Sequence, residues 1–252
     1  MAETIAPMVY LKGLVKMRSQ CESVFELHVP HFAVSPGQMV AVIGESGCGK
    51  STLLDMLALI MAPTRVDRFE IIFEKLDAPL DIADLWARVD ETALSALRRD
   101  LFGYVLQTGG LLPFLSVRQN ICLPARIKGG EFFMSRIDAL AHRLGVSGCL
   151  ERMPAALSIG QRQRVAILRA LAHQPRLVLA DEPTAAVDKA RARVIMDDMH
   201  RLARDEAVAV VVVTHDLELV MDRADIAYTF DTHQVSEHIT RSLCRPVIEG
   251  PP

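Results

Sequence analysis

Gly44-Glu45-Ser46-Gly47-Cys48-Gly49-Lys50-Ser51 stands between an apolar run at 39–43 and a helical pattern over 50–60. The eight positions match the pattern G-x-x-x-x-G-K-S in full. Both contexts that give the pattern meaning are present, a buried strand before it and a helix after it. Glycines let the backbone curl until successive N–H groups face one point. The helix that follows adds the positive end of its dipole, and Lys50 adds an ammonium. Such a cradle fits the phosphates of a nucleotide, with Gly44, Glu45, Ser46, Gly47, Cys48 and Gly49 contributing backbone. Ser51 offers a hydroxyl to Mg2+, and Thr52 joins the candidate nucleotide contacts. Cys48 has two readings: a variable loop position, or a thiol made reactive by Lys50 and the helix start. The second predicts inactivation by an alkylating reagent and protection by ATP.

Two further apolar runs, 177–180 and 207–213, share with 39–43 a lack of polar–apolar alternation, so all three read as strands buried on both faces of a parallel sheet. Each ends in functional groups: the loop at Gly44, then Asp181-Glu182, then Thr214-His215-Asp216. Ligands of open α/β sheets sit beyond the carboxyl ends of the strands, which brings the three clusters to one site. Phosphoryl transfer needs one carboxylate for the metal and one group for water, roles that fall to Asp181 and Glu182. His215 is placed to donate a hydrogen bond to a terminal phosphate.

A helical pattern over 188–204 supplies one crossover, with Ile195, Met199 and Leu202 on one face. Segments 8–15 and 25–34 read as strands of a flanking antiparallel sheet. The stretch 85–170 reads as mostly helical, divided by Pro113, Pro124, Gly129, Gly130, Gly145, Gly148 and Pro154.

The composition narrows the classes. Of 252 residues, 50% are hydrophobic and 23% charged, enough for a packed core. A net charge of -3 and a pI near 6.2 give no long-range attraction to nucleic acid. The cysteines at 21, 48, 122, 149 and 244 lack the spacing of zinc or redox motifs and read as reduced thiols. His28 and His31 read as solvent-facing on a strand edge without acidic partners, and His142, His173 and His200 as helix-surface residues. No signal peptide opens the chain and no apolar run is long enough to span a bilayer, so a membrane role is expected to come through a partner.

Leu157-Ser158-Ile159-Gly160-Gln161 precedes a helix over 162–172, and taken alone Ser158 and Gln161 form a capping box. Together with the phosphate loop, Gln107, Asp181-Glu182 and His215, in this order, the segment resembles the nucleotide-binding subunit of ABC transporters, from about position 9 to 231. The resemblance implies an ATPase of α/β class: a P-loop NTPase core with a mainly parallel sheet, a flanking antiparallel β subdomain and a helical subdomain. The implied division is one ABC-type domain, with core at 1–100 and 170–235, helical subdomain at about 108–170, and a tail at 236–252. It also implies a homodimer closed head-to-tail on ATP and Mg2+, with Ser158, Gly160 and Gln161 facing the partner's nucleotide and Asp188 across the seam. Gln107 would reach metal and water and begin the segment that senses a membrane-spanning permease-like subunit, at the cytoplasmic face of the inner membrane. A non-transport ATPase of the same family, regulating a membrane signalling or division complex, would share every motif. A DNA-repair ATPase would add long heptad arms or a zinc insert, which the chain lacks.

The stretches 111–120 and 180–186 are similar to the lipoprotein-releasing and macrolide-export branch, although the first also reads as a loop followed by a helix start. Three departures from the family pattern stand out. Ile159 replaces a glycine of the signature. Arg18 stands near the position of the aromatic that stacks on adenine, and its planar guanidinium offers a substitute surface. The hairpin expected near 65–70 has no glycine, and an acidic helical stretch follows it.

Overall fold

The computed structural model describes residues 7–72, 78–129, 134–185 and 187–248. Gly130 and Ala186 lie outside these residues. The chain opens with two long strands, β1 (Val9–Gln20) and β2 (Ser23–Val34), paired antiparallel from Val9 opposite Val34 to Gln20 opposite Ser23. Val9, Leu11, Leu14, Leu27, Val29, Phe32 and Val34 turn to the core. The polar ends of both strands continue the ladder beyond the apolar positions, so each strand outruns its hydrophobic signal. β2 is an internal strand, and His28 Nε2 lies 3.3 Å from Glu26 Oε2. The expected strand-edge histidine without an acidic partner is thereby corrected.

β3 (Met39–Ile43) follows, and the glycine-rich loop carries it into α1 (Lys50–Leu57). The segment near 65–70, expected to replace a hairpin, leads into β4 (Arg68–Ile71), paired with β1, and β5 (Leu80–Asp81) pairs with β4 further on. Two helices come next, α2 (Ile82–Ala87) and α3 (Glu91–Leu101). Asp81 and Asp90 cap them by accepting from the N–H groups of Asp84 and Ala93 at 3.1 and 2.9 Å.

Between the helices of the middle stretch lies a strand that periodicity did not reveal, β6 (Phe102–Val105). Four residues are too few to display a period, and a glycine sits among them. Its position comes from the sheet: β6 pairs parallel with β7 (Leu177–Asp181). A Cβ on Gly103 would lie 2.2 Å from the Ala170 carbonyl oxygen, so the close approach of strand and helix requires glycine.

The helices of this stretch are α4 (Val117–Lys128), α5 (Met134–Arg143) and α6 (Ile159–Leu171). Pro124 does not divide α4 as expected but lies inside it, where Ile121, Cys122 and Ala125 are buried. Tertiary burial of the helix outweighs the hydrogen bond that proline removes. His173, expected at a helix surface, is buried, with Nε2 2.9 Å from the Phe102 carbonyl oxygen.

After β7 come α7 (Lys189–Glu206), β8 (Ala209–Thr214), the short α8 (Leu217–Val220), β9 (Ile226–Ser236) and β10 (Ile239–Ile248). Ten strands form one sheet in the order β5-β4-β1-β2-β10-β9-β3-β8-β7-β6, parallel from β9 to β6 and largely antiparallel elsewhere. Two apolar layers sandwich it. Met39, Ala41 and Ile43 face one with Val178 and Val210, while Val40 and Val42 face the other with Leu177 and Val211. Both faces of the central strands are covered, which is why their sequences run apolar without alternation. The residues expected as a tail contribute β10, inserted between β2 and β9.

Candidate nucleotide site

β3 delivers the glycine-rich loop to the carboxyl edge of the sheet. Gly47 and Gly49 hold φ of 84° and 108°, the left-handed conformation that glycine adopts without a Cβ penalty. Lys50 is buried, and its Nζ donates to the carbonyls of Gly44 at 2.7 Å and Glu45 at 2.8 Å, tying the loop into a ring. The loop is also fastened from behind: Ser242 Oγ on β10 donates to the Cys48 carbonyl at 2.6 Å.

Cys48 does not line the cleft. The thiol is 5% exposed, and a Cβ on Gly44 would meet Cys48 Sγ at 2.6 Å and Phe230 Cδ2 at 3.2 Å. Burial, the largest influence, pushes the thiol above its ordinary pKa despite nearby Lys50. The reactive-thiol reading is therefore corrected: the side chain packs inward, where a thiolate is disfavoured.

β7 presents the two carboxylates. Ser51 Oγ on α1 donates to Asp181, 3.4 Å from Oδ1 and 3.2 Å from Oδ2. Burial first, then the neighbouring Glu182 and Asp55 carboxylates, raise the Asp181 pKa, while the Ser51 bond lowers it. Glu182 sits at φ 45°, an uncommon conformation for a side-chain-bearing residue, and its N–H donates to the Val213 carbonyl of β8 at 2.9 Å. Its two oxygens point different ways. Oε1 is 3.9 Å from Lys50 Nζ, and Oε2 is 2.6 Å from His215 Nδ1 beyond the end of β8. Such strain at a polar cluster is a mark of functional sites.

These groups line one cleft of about 830 Å3, whose walls include Ser46, Gly47, Gly49, Lys50, Ser51, Thr52, Gln107, Asp181 and Glu182. Its far wall is a row across three strands: Arg18 of β1 is paired with Phe25 of β2, and Phe25 with Thr240 of β10. His215 stands at the rim, its side chain 64% exposed and in contact with Glu182.

Ser158, Gly160, Gln161 and Asp188 are not in this cleft. Ser158 caps α6, accepting from the Gln161 N–H at 3.2 Å while Gln161 Oε1 accepts from the Ser158 N–H at 2.9 Å. Asp188 caps α7 in the same manner through the Arg191 N–H at 3.0 Å. A Cβ on Gly160 would lie 3.7 Å from Arg191 Cδ, so the two helix starts adjoin. Ser158, Ile159 and Asp188 are exposed there, Ile159 to 48%, while Gly160 is buried between them.

Two residues that the sequence reading passed over organise the loops around Gln107. Asn120 is fully buried and joins the 112–116 loop to α4: its Nδ2 donates to the carbonyls of Leu112, Leu115 and Ser116, and its Oδ1 accepts from the Leu112 N–H at 2.7 Å. Arg169 of α6 holds the backbone just after Gln107. A polar side chain at an inward helix position was the available signal in both cases.

The donor set suits Mg2+. Ser51 and Asp181 offer hard oxygen atoms, and among the described residues no cluster of three histidine, cysteine or acidic side chains forms an all-protein cage. Mg2+ beside nucleotide takes one or two protein carboxylates and completes its shell with phosphate and water.

Comparison with known proteins agrees with this geometry. The family model described as ABC transporter matches residues 27–185. The chain is 36% identical over 217 residues to the lipoprotein-releasing system ATP-binding protein LolD of Pseudomonas fluorescens, covering 85% of this chain and 91% of that protein. It is 37% identical over 222 residues to the macrolide export ATP-binding/permease protein MacB of Rhodospirillum rubrum, covering 87% of this chain and 32% of that protein. Among solved structures, a dimeric post-hydrolysis state of the ATP-binding cassette MJ0796 bound to ADP and Pi superposes with a TM-score of 0.73 at 31% identity, over 88% of this chain and 94% of that one. A phosphate loop, an acidic pair and a capped signature helix, assembled on this sheet, place the chain in the ABC transporter family, as an ATP-binding and ATP-hydrolysing subunit.

Proposed function

We propose that two copies close head-to-tail on two ATP molecules, each copy's cleft being completed by the other's Ser158, Gly160 and Gln161, with Asp188 across the seam. The observation that carries this reading is the separation within one chain of the phosphate cleft from the exposed surface of two adjoining helix starts. A helix N-terminus is an anion site, and this one is not part of the lining of its own chain's cleft.

In the closed state Lys50 and the loop amides grip the phosphates. Ser51 and Asp181 would hold Mg2+, with Gln107 reaching metal and water. Bound there, the ion neutralises charge on phosphate oxygens. Glu182 takes the proton of the attacking water, and His215 fixes the Glu182 carboxylate and reaches the terminal phosphate.

Closure and opening drive a separate membrane-spanning partner, with the helical subdomain of about 108–170 as the moving lever on a core formed by 1–100 and 170–235. The partner docks beside the Gln107 loop, where Phe102, Leu123, Pro124 and Ile127 line a groove of about 300 Å3. Among the described residues no helix is long and apolar enough to cross a membrane, in keeping with a peripheral subunit at the cytoplasmic face of the inner membrane. The likeness to LolD and MacB favours lipoprotein release or mechanical transmission as the work done. Affinity capture of the chain from membranes in mild detergent, with ATP and Mg2+, tests the assignment: a multi-span partner is expected. Capture of sensors or kinases instead would move the chain to the signalling branch.

A further inference from the structure

Arg169 lies near the end of α6, thirteen residues in length, at whose other end stands Ser158. Its side chain lines a groove with Phe102 and Tyr104, and its guanidinium meets the loop just after Gln107. One nitrogen donates to the Gly110 carbonyl at 2.7 Å and the other to the Gly109 carbonyl at 3.0 Å. Burial alone pushes the Arg169 pKa down, and among the described residues no carboxylate pairs with it. A half-buried cation costs free energy unless its environment answers it, and here two peptide dipoles do so.

The loop it holds is built for one conformation. Gly109 and Gly110 sit at φ 75° and 56°, and the Gly109 N–H donates to the Leu106 carbonyl at 2.8 Å. A Cβ on Gly109 would meet Ala166 Cβ at 3.7 Å and Gln163 Oε1 at 3.9 Å. Gln163, Ala166 and Arg169 recur every three residues along one face of α6, and that face is the bed of the loop. The planar fork of arginine makes two nearly parallel bonds, which lysine cannot reproduce.

We infer that Arg169 is the positioning residue of the Gln107 loop, holding Gln107 where its amide reaches the metal-nucleotide complex and linking that loop rigidly to the helix that starts at Ser158. The inference rests on the assignment of Gln107 to the metal. It adds that the two halves of the reaction site, Gln107 for one nucleotide and Ser158 for the other, move as one piece because Arg169 joins them.

The test uses the full chain in a Glu182→Gln background, so that ATP stays intact, with Mn2+ as the metal probe. Arg169→Met is expected to weaken Mn2+ binding to the ATP complex by about tenfold, the usual effect of removing an outer support. Hydrogen exchange of the peptide spanning 106–112 should accelerate by about tenfold or more, and metal-free ATP affinity should stay within about twofold. Arg169→Lys should recover part of both effects. Unchanged exchange and unchanged Mn2+ affinity in Arg169→Met, while Gln107→Ala weakens Mn2+ binding, would overturn the inference and leave the Gln107 assignment standing. Unchanged Mn2+ affinity in Gln107→Ala overturns both. If Arg169→Met does not fold, Gly110→Ala serves instead: its Cβ would lie 2.7 Å from Leu106 Cδ1 at a φ that disfavours alanine, so it disturbs the loop from the opposite side. Full Mn2+ affinity in that variant likewise refutes the inference.

Discussion

His215 Nδ1 lies 2.6 Å from Glu182 Oε2, while Glu182 Oε1 faces Lys50 Nζ at 3.9 Å, so one carboxylate is held between an imidazole and an ammonium. The first contact fixes the plane of the carboxylate and the second fixes its distance from the phosphate loop. Glu182→Gln removes the base and keeps the shape. ATP binding should persist, phosphate release should fall by about 10²- to 10⁴-fold, and light scattering should detect a dimer that persists with ATP. Normal hydrolysis by this variant would remove Glu182 from its role. His215→Ala should also slow turnover, by about a hundredfold, through loss of orientation.

Ser158→Ala should act at two levels. Loss of the cap costs about 1 kcal/mol, visible as a fall in melting temperature of roughly 2–4 °C. ATP affinity of the isolated chain should not change, because Ser158 is outside its own cleft, whereas ATP-dependent dimerisation should weaken. A fall in ATP affinity without any effect on dimerisation would contradict the division of the site between copies.

Labelling should separate the cysteines by burial. Cys21 is exposed, while Cys48 is buried and its pKa is raised above the ordinary 9.0. A raised thiol pKa means that at pH 7 the thiolate fraction is below that of a free cysteine, and that it grows only as pH rises past 9.0. Mass spectrometry after brief maleimide treatment at pH 7 should find Cys21 modified and Cys48 intact, with or without ATP. Rapid ATP-sensitive modification of Cys48 would restore the reactive-thiol reading.

The sheet edge offers a test of packing alone. Gly103→Ala forces a methyl against the Ala170 carbonyl and should destabilise the chain by about 1–3 kcal/mol, read as a lower urea midpoint at unchanged slope. An unshifted midpoint would mean that β6 and α6 separate freely.

Which parts of this architecture the sequence discloses follows from the physics of each part. β3, β7 and β8 are legible because both of their faces are covered, and a run such as Val210 to Val213 admits no other comfortable setting. Ser51 and Asp181 are far apart in the chain, yet each ends or begins an element at the sheet's carboxyl edge, so their meeting is foreseeable. β6 is not legible, because four residues carry no period and only β7 gives them a partner. The polar ends of β1 and β2, and most of β10, are held by backbone pairing that side-chain chemistry does not announce. Pro124 misleads because a local rule yields to tertiary burial. Asn120 and Arg169 escape notice for a related reason: an inward polar side chain is defined by the carbonyls it meets, and those come from loop segments, 112–116 and 109–110, whose paths no local pattern announces.

The position of β10 has a bearing on how the protein is made. This strand is the bridge between β2 and β9, and Ser242 within it fastens the phosphate loop from behind. Until the ribosome has released residues 239–248, β2 presents an open edge and the loop lacks its rear anchor, however completely the earlier strands have assembled. Nucleotide affinity should therefore arise only once residues 239–248 have emerged, and the nascent chain needs protection of that edge from other strands until the β9–β10 hairpin forms.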